Sequence, residues 1–204
     1  MVRPATLTDL KPIVRVHQSA FSGFFMTLLG PGFLGAYYRT AIEYSGGLCM
    51  IVEDDGVQGF VIGFKEPSRF YSSLRQRKWS LAVAAVSHVA WRPRLWSRLL
   101  NNARRVDGAA AQDGQDTDLV ELSSIGVSLA SGRRGYGKQL VLGFLKRAAE
   151  LGAKRVVLTT DAVNNEQVNA FYRGLGFTLS NRFTTGSRAM NEYEYLLSDL
   201  EPSL

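Results

Sequence analysis

The 204-residue chain has one cysteine, Cys49, and two histidines, His17 and His88. A single cysteine excludes an intrachain disulfide framework and any multi-cysteine metal centre. The histidines lie far apart with no second ligand at metal spacing, so both read as structural residues and no metal is expected. Cys49 sits in the apolar stretch GLCMIVED and reads as a buried core thiol. Long apolar runs are missing as well. The longest weakly polar stretch, WSLAVAAVSHVAW at 79–91, is shorter than the ~20 residues of a bilayer span and carries two serines and a histidine. MVRPATLTDL has no apolar h-region of a signal peptide, so a cytoplasmic protein is expected. There is no aromatic RNA-binding motif and no zinc finger, which argues against a nucleic-acid partner.

What is present suits one soluble domain over 1–204, with 46% apolar and 21% charged residues. The net charge of +6 is unevenly placed. Between 65 and 105 there are ten Lys/Arg and one acid, Glu66, so the remainder of the chain is net acidic. Residues 66–106 read as a basic helical insert, rich in Trp, Leu, Ala and Arg and divided by Pro93. It suits a lid, an interface, or a peripheral contact with anionic lipid headgroups. DGAAAQDGQDTD at 107–118 is a polar loop.

Periodicity orders the rest. VRPAT is a short strand. Thr8 or Asp9 caps a helix with Leu10, Ile13, Val14, His17 and Phe21 on one face. The next helical stretch breaks at Gly30-Pro31-Gly32. GLCMIVED and VQGFVIGF flank Asp54-Asp55-Gly56 as a β-hairpin. A strand over 119–130 leads to SGRRGYGKQ. A helix follows, with Leu140, Val141, Phe144, Leu145, Ala148 and Leu151 on one face, ended by Gly152. KRVVLTTD is a buried strand, Asn165 to Tyr172 a short helix, and FTLSNRF and NEYEYLL late strands. Interleaved strands and helices place the chain in the mixed α/β (α+β) class.

The loop carries the chemistry. From Gly132 it falls one residue short of a nucleotide-hydrolase phosphate loop, because Gln139 stands where a Ser/Thr hydroxyl would hold Mg²⁺. Read without a metal, Gly135 and Gly137 let backbone N–H groups approach an anion at a helix N-terminus. Arg133, Arg134 and Lys138 add positive charge there. A tight turn with solvated basic residues is the plainer alternative.

Residues 119–177, from ELSSIGVSLASGRRGYGKQL to NNEQVNAFYRGLGF, resemble the core of the GNAT superfamily of acetyl-CoA-dependent N-acetyltransferases. Gly132-Arg133-Arg134-Gly135-Tyr136-Gly137 fills that family's loop. Asn165, Val168, Tyr172, Gly176 and Phe177 follow in register. Gly132 stands where Arg or Gln is usual, and Val168 where Ala is usual. The resemblance implies a mostly antiparallel central sheet splayed at the cofactor site, with helices on both faces and the insert between the third and fourth strands.

The resemblance also implies acetyl transfer from acetyl-CoA to an amine. Ile125, Gly126 and Val127 would pair with the pantetheine arm, and the Val127 amide would hold the oxyanion. The loop from Gly132 through Lys138, with Tyr136 in it, would cradle the pyrophosphate. Gly126 suits a bulge that splays the sheet. Tyr172 matches the usual general acid, and is otherwise a core aromatic. Asn165 would bond the cofactor arm, cap its helix, or both. Glu121 is the candidate base, or else an edge carboxylate, with Ser123 and Ser124 as water holders. Phe24, Phe25 and Met26 would wall the acceptor mouth, or simply pack in the core. The expected partner is a small-molecule amine, anionic elsewhere, such as a nucleotide-linked amino sugar. A peptide amine is the alternative acceptor, and a non-catalytic acyl-CoA sensor the alternative class. The expected assembly is a monomer or homodimer.

Overall fold

A computed structural model describes residues 1–77, 118–131 and 134–200. Most of the basic insert, with His88 and the 107–117 part of the polar loop, lies outside the described residues, as do Gly132 and Arg133. In chain order the elements are β1 (Val2–Pro4), α1 (Leu10–Ala20), α2 (Phe25–Leu28), α3 (Gly30–Glu43), β2 (Gly47–Glu53), β3 (Val57–Lys65) and α4 (Pro67–Gln76). They continue as β4 (Leu119–Val127), α5 (Tyr136–Glu150), β5 (Arg155–Asp161), α6 (Glu166–Gly174), β6 (Thr178–Thr185) and β7 (Arg188–Leu196). The strands form one sheet in the order β1-β2-β3-β4-β5-β7-β6, antiparallel throughout except for β4 beside β5.

Asp9 stands at the N-cap position of α1, as expected, and a second cap lies one turn earlier. A 3₁₀ turn over Leu7–Asp9 precedes α1. The Asp9 carboxylate accepts from the Thr6 amide at 2.8 Å and the Thr6 hydroxyl at 2.9 Å. This is the reciprocal logic of a capping box, with Thr6 as the cap. The Arg3 guanidinium donates to both Asp9 oxygens at 2.9 Å, and these bonds pull the carboxyl down to about 2. The hairpin turn, Asp54 to Gly56, uses left-handed Asp55 (φ 49°) and Gly56 (φ 97°), the sign of φ that suits a tight turn between twisted strands.

Each face of the sheet has its own core. On one, Ile13, Leu34, Tyr38 and Phe70 from α1, α3 and α4 pack on Ile51, Phe60 and Phe64. On the other, Leu140, Val141, Phe144, Leu145 and Ala148 of α5 pack on Val52, Val61, Val120 and Leu122. Each large apolar side chain so buried contributes about 1.5–3 kcal/mol. Cys49 lies in the first core, and burial pushes its thiol up to about 12, so it is inert.

Two irregularities position the site. β4 pairs with β5 only from Leu119 to Glu121, against Arg155 to Val157. Beyond that, β4 stays with β3 as far as Val127 and β5 with β7 as far as Asp161, so a wedge opens inside the sheet. The second irregularity is a bulge in β4. Ile62 pairs with Ser124 but Gly63 pairs with Leu122, leaving Ser123 as the extra residue. The bulge is therefore at Ser123 and not at Gly126. Its cause lies across the ladder. A Cβ on Gly63 would sit 2.2 Å from the Glu121 carbonyl oxygen and 2.4 Å from Phe144 Cζ, so β4 and α5 close down on bare backbone there. Gly126 is small for another reason. A Cβ there would meet the Phe60 ring at 2.9 Å and the Phe21 ring at 3.0 Å.

The start of the insert belongs to the core. The chain leaves β3 through Glu66, which is left-handed (φ 53°), and Pro67 opens α4. A non-glycine residue in that conformation costs roughly 1–2 kcal/mol. The turn lays the Phe70 ring flat on Phe64, with centroids 3.5 Å apart and planes 11° off parallel. The Tyr44 hydroxyl donates to the Lys65 and Glu66 carbonyls at 3.3 and 3.4 Å, bracing the turn.

Candidate active site

The wedge is bounded by the C-terminal half of β4, the N-terminus of α5 and the helix α6. Gly135 caps α5 in a left-handed conformation (φ 73°) that L side chains rarely adopt. Gly137 lies in the first turn of α5, where a Cβ would stand 3.4 Å from the Phe171 ring and 4.0 Å from Val127. Ile125 and Val127 pack partly against the α5-side core. The segments leaving the splayed strands carry exposed Leu129 and Val163, and Val168 is exposed on α6. An apolar rim, a helix N-terminus and unpaired strand backbone thus meet in one cleft. That arrangement suits a ligand with an anionic end and an amide-bearing arm.

The loop's side chains are less free than the sequence implies. The Tyr136 ring is buried, and its hydroxyl donates to the Asp54 carboxylate at the hairpin tip. The Arg134 guanidinium, with 67% of its side chain exposed, pairs with the same carboxylate at 3.3 Å. Lys138 is exposed. Asn165 occupies the N-cap position of α6 without a side-chain cap. Its amide instead donates to Thr160 Oγ1 at 2.8 Å and the Asp161 carbonyl at 3.2 Å.

Sequence reasoning passes over Asn169, which holds α6 to the sheet. Its amide nitrogen donates to the Asp161 and Asn165 carbonyls at 2.9 and 2.7 Å. Its oxygen accepts from Asn191 at 2.8 Å and from the Tyr193 hydroxyl at 3.0 Å. All four hydrogen-bonding capacities of its headgroup are used, which rigidifies a buried polar group. Three residues on, Tyr172 is 5% exposed and packs against Phe177 and Tyr193. Burial pushes its phenol up to about 12, so it stays protonated at neutral pH. Its hydroxyl has no hydrogen-bond partner among the described residues.

Glu121 faces the other core. Its Oε1 accepts from the Tyr71 hydroxyl of α4 at 2.8 Å. Burial raises its carboxyl above the usual range, and the Tyr71 bond opposes that rise. The bulge turns Ser123 and Ser124 to the same face. Ser123 stands by the Tyr37 and Tyr71 phenols and Ser124 by that of Tyr38, each countering the upward shift that burial gives those phenols. Tyr38 also meets His17, whose Nδ1 is 2.5 Å from the hydroxyl. Burial lowers His17 to about 4, so it is neutral. Phe24 is 53% exposed between α1 and α2, whereas Phe25 and Met26 are half-buried and Met26 packs on the core. Among the described residues no His/Cys/Asp/Glu group has metal-binding geometry, and no helix is long and apolar enough to cross a membrane.

A parallel pair splayed at its C-terminal end, with a glycine-capped helix after the first strand, defines a fold built to seat an extended anionic ligand inside a sheet. The profile of the Acetyltransferase (GNAT) family matches residues 16–177. The chain belongs to that family and is an acetyl-CoA-dependent N-acetyltransferase. No curated protein sequence matches significantly. Among solved structures it is similar to a GNAT-family protein from Desulfovibrio desulfuricans, at 14% identity and TM-score 0.63, covering 97% of this chain and 98% of that one. It is also similar to yncA from Salmonella typhimurium, solved with its cofactor acetyl-CoA, at 17% identity and TM-score 0.59, covering 97% and 93%. The ribosomal-protein-S18-alanine N-acetyltransferase from Escherichia coli matches at 13% identity and TM-score 0.59, covering 100% and 97%. At these identities the likeness is one of fold.

Proposed function

We propose that the protein transfers the acetyl group of acetyl-CoA directly to a primary amine of a small molecule, with Glu121 as general base and Tyr172 as general acid. The carrying observation is their placement. Glu121 lies on the face of β4 covered by α1, α3 and α4, and Tyr172 lies with α5 and α6 on the other. Across the wedge, the thioester comes from the α5 side and the amine from the α4 side. The pyrophosphate rests on the α5 N-terminus at Gly135, Gly137 and Lys138, with Arg134 beside it; Gly132 and Arg133 are assigned to the same loop by sequence alone. The pantetheine arm lies along Ile125, Gly126 and Val127.

The neutral amine attacks the thioester carbonyl, and its proton passes to Glu121, directly or through a water held at Ser123 or Ser124. The Val127 amide receives the oxyanion. On collapse the C–S bond breaks and the Tyr172 hydroxyl protonates the departing sulfur. Solvent then returns a proton to the Tyr172 oxygen and removes one from Glu121. A buried phenol held neutral suits the acid, and a desolvated carboxyl with a raised pKa suits the base. The rest of the acceptor is anionic, as in a nucleotide-linked amino sugar. This part rests on the surplus of Lys/Arg at 65–105, of which Arg69, Arg75 and Arg77 lie in or just after α4.

The test is thiol release from acetyl-CoA with a panel of nucleotide-linked amino sugars, alkylamines, polyamines and peptides. Amino-sugar-dependent release, lowered at least tenfold in Tyr172→Phe with acetyl-CoA affinity kept, is the expected outcome (about 1.4 kcal/mol of barrier). Release with peptides or polyamines alone removes the acceptor assignment. Acetyl-CoA binding with no thiol release for any amine favours a sensor. Unchanged turnover in Tyr172→Phe removes the acid.

A further inference from the structure

The helix α4 opens the insert, and the proton transfers proposed above assign no role to any of its side chains. Its docking is nonetheless strongly determined. A left-handed Glu66, the Pro67 start, the Phe64–Phe70 stack and the Tyr44 brace all act to set its position on the sheet. That position delivers one polar group to the site. The Tyr71 ring meets the stacked Phe64 and Phe70 rings edge-on, with centroids 6.2 and 5.4 Å away, and its hydroxyl donates to Glu121 Oε1 at 2.8 Å. No other hydrogen bond reaches the Glu121 carboxylate from the described residues, so Oε2 remains available.

We propose that Tyr71 is a positioning residue of the active site, contributed by the insert: its hydroxyl fixes Glu121 Oε1, so that Oε2 is presented at the β4 bulge to the incoming amine. This rests on the reading of Glu121 as base. Among the described residues the groups facing that carboxylate are neutral: Tyr71 from α4, Tyr37 from α3 and Ser123 from its own strand. No Lys, Arg or His among the described residues bears on it. Among the described residues the phenol is the one group that bonds the carboxylate, and it bears on both orientation and charge. Desolvation favours the protonated acid, and a donated hydrogen bond favours the anion that can accept a proton. The first helix of the insert thus equips the base.

The experiment needs no knowledge of the acceptor. The full chain is labelled with ¹³C at glutamate carboxyls and titrated by NMR, and Glu121→Gln identifies the Glu121 resonance by its loss. In Tyr71→Phe, which keeps the ring and its packing, the Glu121 resonance titrates at higher pH than in the wild type. Tyr44→Phe, which removes a phenol from the same aromatic cluster but not from the carboxylate, leaves the titration in place. Superimposable curves for wild type and Tyr71→Phe overturn the proposal. So does an equal displacement in Tyr44→Phe, which would assign the effect to packing. With an amine that turns over, the acid limb of kcat/KM in Tyr71→Phe moves in the same direction while KM for acetyl-CoA stays put. Full turnover in Glu121→Gln would instead remove the base assignment, whatever the titration of Tyr71→Phe shows.

Discussion

Replacing Gly137 by alanine separates a folding role from a binding role. Gly137 is the second residue of α5, and its φ is not in the left-handed region. The added methyl would stand 3.4 and 3.7 Å from two Phe171 ring carbons and 4.0 Å from Val127 Cγ2, which is ordinary contact. Nothing in the packing opposes it. Alanine is favoured over glycine in a helix by roughly 0.5–1 kcal/mol. For a chain of this length that raises Tm by about 1–4 °C. The same methyl projects into the cleft between α5 and α6, where the pyrophosphate is expected to approach bare backbone. Losing one charge-assisted hydrogen bond costs about 1.5–3 kcal/mol, or roughly 10- to 150-fold in affinity. Calorimetric melting without ligand and titration with acetyl-CoA read the two effects independently. The expected result is a more stable protein that binds its cofactor more weakly. Unchanged affinity would mean that the phosphates do not pass Gly137, and a fall in Tm would refute the packing argument itself.

Two further outcomes follow from packing and charge. Gly63→Ala forces a methyl to 2.2 Å from a backbone oxygen and 2.4 Å from the buried Phe144 ring, so it destabilises by about 3 kcal/mol or more, and scanning calorimetry should find Tm lower by about 6–12 °C; a drop under ~2 °C would show that the strands part easily there. Asp9, held down to about 2 by Arg3, stabilises the fold above its ordinary pKa of ~3.9, and that stability is lost as pH falls through about 2. Allowing for solvent around Arg3, its worth is about 1–2 kcal/mol. The gap in urea midpoint between wild type and Asp9→Asn should therefore narrow from pH 5 to pH 2, and an equal gap at both would remove the ion pair as the cause.

The parts legible in the sequence are those governed by neighbours along the chain. The faces of α1 and α5, the Asp54–Gly56 turn and the Gly135 cap each depend on residues within one or two turns. The bulge does not. Ser123 becomes the extra residue because Gly63, some sixty positions earlier, has no Cβ, and nothing in ELSSIGV distinguishes it from the more conspicuous Gly126. Tyr71 is illegible for a similar reason. Its partner Glu121 is fifty residues away, and only the left-handed turn at Glu66 brings the two together. The sequence puts Asn165 at the start of α6, where it stands, but its side chain turns to β5, because the Thr160 hydroxyl and the Asp161 carbonyl lie within its reach.

The split sheet also bears on how such an enzyme can change over generations. Everything that would grip acetyl-CoA stands on α5, α6 and the diverging ends of β4 and β5. The helices α1, α3 and α4 pack on the opposite face of the same sheet. Substitutions in α1, α3 or α4 can therefore try out new acceptors while the donor half keeps its shape. The strand that joins them at the wedge is β4, packed by α1 on one face and α5 on the other, and a change on either side is felt at its bulge.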